Sequence, residues 1–442
     1  MTIDLTWAGW FTGVVVLYYA VLFVVSLRRP RADTAPAGWE APLMIVVVPA
    51  RNEDKVIGET IANLRGMEYA GECRILVVDD ASTDTTAAVI AAHVSQDPRV
   101  RLLSRTAEQG GRGKSDVLNH AYRLIRDAAA DGDPWLAGRA PADIVYAIVD
   151  ADGRLEKDSL TVVAPYFIDP SVGSTQVGVR IYNAGDSTLA RMQDMEFVGF
   201  TYLVQIARDK IGSSGLGGNG QFTRLSALIS LGDAPWKTSA LTEDLDLGLR
   251  LIEAGWRTRF CHHTTVAQQG LTRWKPLLRQ RTRWIQGHYQ CWSHIPKLAR
   301  AKGASYAGRF DLVTYLFLVV TVVVISLSMT AVLASGLGLV HLTSSFLSFV
   351  PDGLGLRVTS LVLSILPLAI FMLTYQMNSR HPYRWWEVPT FALIFSAYSY
   401  VWIVTTLRAW TRMLLRRNGW VKTPRVGPTP SLPPTIGLQA GR

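Results

Sequence analysis

Residues 312–350 contain no Asp, Glu, Lys or Arg. A charge-free run of that length leaves few ways to fold. As one helix it would be about 58 Å long at 1.5 Å per residue, nearly twice the roughly 30 Å of a bilayer's hydrocarbon core. It therefore reads as two membrane crossings broken near Ser335-Gly-Leu-Gly338, the second of them short. Residues 358–376 and 388–407 supply two more apolar segments, so 312–407 reads as a transmembrane region of four helices, or three if the split is wrong. Residues 5–27 are also uncharged and long enough to cross. Asp4 precedes that segment and Arg28, Arg29 and Arg31 follow it, the reverse of a cleaved signal peptide. Residues 1–27 are thus expected to be a retained anchor with its N-terminus outside and Arg28 onward in the cytoplasm.

Charge supports this reading. The chain has 18% charged residues and a formal net charge of +10. Its basic residues flank the apolar segments, and none of the basic runs is interleaved with aromatics for base stacking, so the excess fits a membrane surface and not nucleic acid. Four C-terminal crossings return Arg408, Arg412, Arg416, Arg417, Lys422 and Arg425 to the cytoplasm, with Arg380 and Arg384 left outside. Residues 408–442 form a basic tail that is Pro-rich from Thr423 and expected to be disordered. The three cysteines, Cys73, Cys261 and Cys291, are too widely spaced for a disulfide framework or a zinc site. Cys261-His262-His263 looks like a ligand cluster, yet adjacent side chains on an extended segment point to opposite faces; a solvated loop is the simpler reading.

Between a Pro/Ala linker at 28–42 and the C-terminal crossings lies ordinary globular sequence, residues 43–311. Buried-strand patterns at 43–49, 74–80, 100–103 and 144–149 alternate with helical patterns at 56–64, 85–94 and 116–129. This alternation predicts an α/β domain with a doubly wound, mainly parallel sheet. Further on, 174–181 reads as a strand, 189–210 as a helix, 213–220 as a glycine-rich loop and 241–250 as the start of a helix. Residues 271–292 are basic, Trp-rich and amphipathic, as in helices that lie on a membrane surface.

The chemistry centres on Ile144-Val-Tyr-Ala-Ile-Val-Asp-Ala-Asp-Gly153. An apolar strand runs into two carboxylates, Asp150 and Asp152, at the strand end where open α/β sheets bind ligands. Two carboxylates one residue apart can approach one hard cation whose other ligands are phosphate oxygens. Read alone, the same residues also make an ordinary Asp-Gly turn. Thr242-Glu243-Asp244 opens a helix and equally suits an N-cap with an acidic first turn. Gln280, Arg283 and Trp284 share one helical face, and Trp284 alone would pass for an interface anchor. The glycine loop ending in Gly218-Asn219-Gly220-Gln221 is expected to face an acceptor, unless it is only a flexible connector.

Six motifs occur in order: Pro49-Ala-Arg-Asn-Glu53, Val78-Asp-Asp-Ala-Ser-Thr-Asp84, Gly113-Lys-Ser-Asp-Val-Leu-Asn119, Asp150-Ala-Asp152, Thr242-Glu-Asp244 and Gln280-Arg-Thr-Arg-Trp284. Together they resemble the membrane-bound family 2 glycosyltransferases, the group of cellulose, hyaluronan and poly-N-acetylglucosamine synthases, over residues 47–284. Two stretches, Gly217-Gly-Asn-Gly-Gln-Phe222 and Leu241-Thr-Glu-Asp-Leu-Asp-Leu247, also resemble glucosyldiacylglycerol synthases.

The resemblance implies a GT-A fold and a set of roles. Ala50, Arg51, Glu53 and Asp80 would line a uridine pocket, with Lys114 near the nucleotide. Asp150 and Asp152 would hold Mg²⁺ or Mn²⁺ on the diphosphate of a UDP-sugar. Asp244 would be the general base, and Gln280, Arg283 and Trp284 would cover the diphosphate and frame the acceptor. Arg51 stands where many relatives have an aromatic residue and Ala81 where many have glycine. The expected activity is inverting transfer from a UDP-sugar at the cytoplasmic face of the cell membrane. The first expectation is extension of a β-linked polysaccharide, and the alternative is transfer of one or a few sugars to diacylglycerol, ceramide or a polyprenyl phosphate. An inactive scaffold or transport protein is a distant third, disfavoured by intact carboxylates at every motif.

Overall fold

Two aliphatic runs fold as strands closed off from water, and a third, partly exposed run pairs beside them at the sheet edge. In the computed structural model, which describes residues 2–4, 6–339, 341–343 and 354–416, they are β1 (Leu43–Ala50), β2 (Cys73–Asp79) and β3 (Val100–Ser104). With β4 (Ile144–Ile148) they pair in parallel in the order β3-β2-β1-β4. Every residue from Leu43 to Val48 is buried, which is why β1 reads as a continuous apolar run and not as an alternation. Ile57, Ile61 and Leu64 of the helix Ile57–Arg65 cover the face bearing Met44, Val46 and Val48. Val117, Leu118 and Ala121 of the helix Lys114–Asp131 cover the other, with Leu43, Ile45 and Val47.

The rest of the sheet departs from the mainly parallel expectation. β5 (Arg154–Leu155), β6 (Val172–Ile181), β7 (Gln221–Arg224) and β8 (Arg257–Gln268) extend it to eight strands, ordered β3-β2-β1-β4-β7-β6-β8-β5. β7 runs antiparallel to both β4 and β6, so the sheet is mixed. Polar β7 is central and wholly buried, and most of its side-chain polar atoms find partners: Gln221 Nε2 donates to Thr223 Oγ1 at 3.0 Å, and the Ser174 and Thr223 hydroxyls lie 2.9 Å apart, while Gln221 Oε1 has none among the described residues. Cys261-His262-His263 lies in β8 and not in a solvated loop. The register against β6 slips between Cys261 and Thr265, Cys261 and His262 are buried, and the described residues hold no cluster of three His, Cys, Asp or Glu suited to a metal.

Four apolar helical stretches pack against this domain: Thr6–Leu27, Leu318–Gly336, Leu354–Asn378, and Val388–Ser399 continued by Val401–Leu414. By length and composition Val388–Leu414 can cross a bilayer unaided, and Tyr306–Leu316 with Leu318–Ala334 can do so as a pair bent by 66°. Among the described residues three apolar helices follow the sheet domain, the lower of the two expected counts. The segment read as a second crossing contains a strand, His341–Thr343, paired in parallel with Thr2–Asp4. The remainder of that segment (344–350) and the tail from 417, with Arg417, Lys422 and Arg425, lie outside the described residues. Arg380 does not face away from the sheet domain as the count of four required; its guanidinium donates to Glu156, and Arg180 Nη2 reaches Asn378 O at 2.6 Å.

The N-terminal helix is tied to the domain by polar contacts. Tyr18 donates to Asp311, whose other oxygen accepts from Arg208 Nε at 2.8 Å, and both members of that ion pair are almost fully buried. Lys210 Nζ also bonds Val25 O at 2.8 Å. The long helix expected at 189–210 is present as Thr188–Gly199, a π-helical turn at Phe200–Gln205, and Ile206–Ile211.

Candidate active site

The C-terminal ends of β1, β2 and β4 open on one cleft of about 440 Å³. Ala50, Arg51, Glu53, Asp80, Lys114, Asp150, Asp152, Asp244, Gln280, Arg283 and Trp284 all line it. Residues scattered over most of the domain's length thus converge on a single space.

At one end Asp80 is fixed from several sides. Arg105 Nη1 donates to its Oδ1 at 2.6 Å, and Gly111 N and Arg51 Nη1 reach its Oδ2 at 3.1 and 3.4 Å. Arg105 also bonds Gln109 O at 2.7 Å and pairs with Asp116. Sequence reasoning passed over this arginine because nothing local marks it. Ala81 sits at φ +54°, in the left-handed region where glycine carries no Cβ penalty, which accounts for the preference for glycine there.

The carboxylate turn forms the floor. Gly153 N closes it on Asp150 O at 2.7 Å. Asp152 is 2% exposed and accepts from Gln269 N at 2.8 Å. Asn219 Oδ1 accepts from Asp150 N at 3.1 Å, and Gln176 Nε2 holds Asn219 O at 2.7 Å. Gly218–Gln221 thus braces the turn from behind, and the part of the glycine loop that lines the cleft is Gly215–Gly217. Lys114 Nζ lies 2.5 Å from Asp150 Oδ1. Burial alone would lower its pKa, but Asp150 and Glu243 more than offset that and hold it above the usual lysine value. The donor set suits a hard divalent cation: two carboxylates on one turn, one already facing a positive charge, in a cleft with space for a diphosphate.

Asp244 opens the helix Glu243–Glu253. The simple capping arrangement is not what is found, since Thr242 makes no side-chain cap bond. Burial and then the neighbouring Glu243 carboxylate raise the Asp244 pKa to about 6, against opposing pulls from Lys114 and Arg283. A carboxylate so tuned can take a proton near neutral pH. Gly218, at φ +74°, passes so close that a Cβ there would lie 3.1 Å from Asp244 Oδ2.

The helix Trp274–Gln290 closes the cleft. It does not lie free on a surface. Arg283 Nη1 donates to Leu241 O at 3.2 Å, Gln290 Oε1 accepts from Leu241 N at 2.9 Å, and Gly287 seats against Thr242. Ile285, on its other side, clusters with Val319 and Ala409 of the apolar helices. Trp284 belongs to the cleft wall, with the Arg281 guanidinium carbon 3.9 Å from its ring centre. The far wall is built by Leu318, Val319, Val322, Trp402 and Thr406 of the apolar helices, and by Glu196, Phe197, Phe200, Thr201 and Gln205 around the π-helical turn. None of these carried a sequence signal beyond helix periodicity.

A family model described as glycosyltransferase-like family 2 matches residues 41–287, more than half of the chain. The chain belongs to that family. A β-monoglucosyldiacylglycerol synthase of Synechocystis sp. is 31% identical to this family 2 glycosyltransferase over 71% of the chain and 63% of the relative. The corresponding synthase of Nostoc sp. is 32% identical over 60% and 53%, so the chain spans little more than half to under two thirds of these relatives' length. An N-acetylglucosaminyltransferase of Rhizobium meliloti is 28% identical over 61% of each chain. Among solved structures, a mannosyltransferase from Pyrobaculum calidifontis, in complex with GDP-Man and Mn²⁺, superposes with a TM-score of 0.56 at 20% identity, covering 90% of this chain and 95% of that one. That likeness shows the GT-A fold, an α/β domain built on a mixed sheet.

Proposed function

We propose that this family 2 glycosyltransferase transfers a sugar, with inversion, from a UDP-sugar to an acceptor hydroxyl at the cytoplasmic face of a membrane. The observation that carries the reading is the meeting of the Asp150–Asp152 turn, Lys114 and Asp244 in one cleft whose far wall is made by apolar helices.

Asp80 and Glu53, with Ala50 and Arg51, receive the nucleoside, and Lys114 and Arg283 face the diphosphate. Asp150 and Asp152 would hold Mg²⁺ or Mn²⁺, which would supply Lewis-acid stabilisation of the departing diphosphate. The acceptor oxygen bonds the anomeric carbon as the bond from that carbon to the phosphate oxygen breaks. Its electron pair leaves with the diphosphate, and the acceptor proton passes to Asp244. Arg283 adds charge for the leaving group, since guanidinium pairs well with phosphate.

Two acceptor classes remain. A lipid hydroxyl is favoured by the aliphatic wall of Leu318, Val319 and Val322, which offers nothing to a polyhydroxylated chain, and by the synthases matched above. A growing β-linked polysaccharide is supported by Trp284, Phe197, Phe200 and Trp402, on which sugar rings can stack. Membrane residence is supported by the outward stripe of Val14, Leu17, Val21 and Val24 and by exposed Ile365, Leu366, Leu373, Leu393, Val404 and Leu407.

A donor screen by UDP release with Mg²⁺ or Mn²⁺, followed by sizing of the product, tests the proposal. UDP release with a single-sugar lipid supports the lipid reading, and polymer supports the other. No UDP release from any donor defeats the transferase reading.

A further inference from the structure

Glu196 lines the cleft from the helix Thr188–Gly199. Its Oε2 accepts from Arg281 Nη2 at 2.7 Å and from the Tyr398 hydroxyl at 2.6 Å. Its Oε1 accepts no hydrogen bond from any described residue, and the side chain keeps 19% exposure. An ionised carboxylate offers about four acceptor sites on two oxygens. One kept only to neutralise buried Arg281 would be expected to meet the guanidinium with both oxygens. Here one oxygen carries the whole anchoring load and the other is left to the cleft.

The anchoring is rigid and shared. Arg281 is 1% exposed, its Nη1 donates to Gln280 Oε1 at 3.1 Å, and its guanidinium carbon lies over the Trp284 ring, 3.9 Å from its centre. One guanidinium thus sets Glu196, Gln280 and Trp284 relative to one another. Just beyond Glu196 the helix widens into the π-helical turn, a feature frequent at functional sites, which keeps Phe200, Thr201 and Gln205 on the cleft.

We propose that Glu196 is an acceptor-binding residue, its Oε1 receiving a hydroxyl of the acceptor held against Trp284, with Arg281 and Tyr398 as positioning residues. The proposal rests on the transferase reading of this cleft and names a residue that the family motifs do not include.

Binding is measured by isothermal titration of the purified full chain in nanodiscs with UDP and Mg²⁺. Dioctanoylglycerol and cellotetraose serve as separate probes for a lipid and a saccharide hydroxyl. Glu196→Gln is expected to weaken the probe that binds by about ten- to a hundredfold, the range of a hydrogen bond to a charged group, with UDP affinity within twofold. Tyr398→Phe should weaken it severalfold, and the double variant should be no worse than Glu196→Gln alone, as coupled residues behave. If Glu196→Gln does not fold for want of Arg281's partner, Glu196→Asp keeps the charge and withdraws the oxygen by one methylene, and the same split is expected. Equal affinities for wild type and variant, parallel losses of probe and UDP, or no binding of either probe to wild type overturns the assignment. A wild type that binds a probe through Glu196 yet releases no UDP from any donor defeats the transferase reading and leaves Glu196 standing.

Discussion

The Lys114 ammonium stands 2.5 Å from Asp150 Oδ1 and 4.0 Å from Glu243 Oε1. It joins the carboxylate turn to the residue beside the proposed base, and its charge lowers the pKa of Asp244. Lys114→Met should therefore raise that pKa. In a kcat/KM profile the acid limb, set near pH 6 by Asp244 in its ionised form, should move to higher pH in the variant. A limb that stays in place would separate Lys114 from the base.

Asp244→Asn keeps the shape of the side chain and removes the proton acceptor. The expected loss in kcat is about 10²–10⁴-fold, the range for general-base catalysis, with donor KM little changed. Loss of the acid limb from whatever activity remains is the second readout.

Gly287 allows the Trp274–Gln290 helix to seat on the residue before the base pair. A Cβ there would lie 2.8 Å from Thr242 Cβ. Gly287→Ala should destabilise by about 1–3 kcal/mol through overpacking. Because Thr242 leads directly into Glu243 and Asp244, kcat should fall more than donor affinity does.

Ala81→Gly should do the reverse for stability. Relief of a left-handed alanine is worth about 1–2 kcal/mol, offset by about 0.5–1 kcal/mol of glycine backbone entropy. Thermal unfolding should show a gain on the order of 0.5–1 kcal/mol, with donor KM unchanged.

His294 is buried between Asp246 Oδ1 at 3.0 Å and Glu253 Oε1 at 2.6 Å. Burial pulls its pKa down, but the two carboxylates more than offset this, and the net shift is upward from 6.5. The stabilisation is therefore fully present below pH 6.5 and is lost as pH rises through the higher folded value. Lys237 also holds Asp246, at 2.8 Å, so part of the anchoring survives. Unfolding midpoints should decline above pH 6.5 in wild type and lose that slope in His294→Gln.

The parallel half of the fold was legible because strands buried on both faces leave continuous apolar runs, and β1, β2 and β4 are of that kind. Asp80 and Asp150 were legible because each follows the end of such a strand, and Asp244 because it lies at the start of a helix. β7 was not: Gln221-Phe-Thr-Arg224 has no apolar period, and its place in the sheet is set by neighbours distant in sequence. Arg105 and Glu196 escaped for the same reason, since their partners lie 25 and up to 202 residues away. The split of residues 312–350 was not legible, because absence of charge marks a segment as apolar without saying that it is helical, and within it His341–Thr343 is a strand.

The ion pair of Arg208 with Asp311, completed by Tyr18, bears on where the enzyme can be cut. A linker rich in Pro and Ala at 28–42 invites a soluble truncation that begins at β1. Such a chain would retain both charges and lose the hydroxyl that helps to satisfy them, exposing a pair that the whole protein keeps from water. Gln205, which meets Arg208 at 3.4 Å and grips Gly215 of the glycine loop at 3.0 and 3.3 Å, carries that damage to the edge of the cleft. The apolar helix Thr6–Leu27 is in this sense part of the sheet domain's own interior.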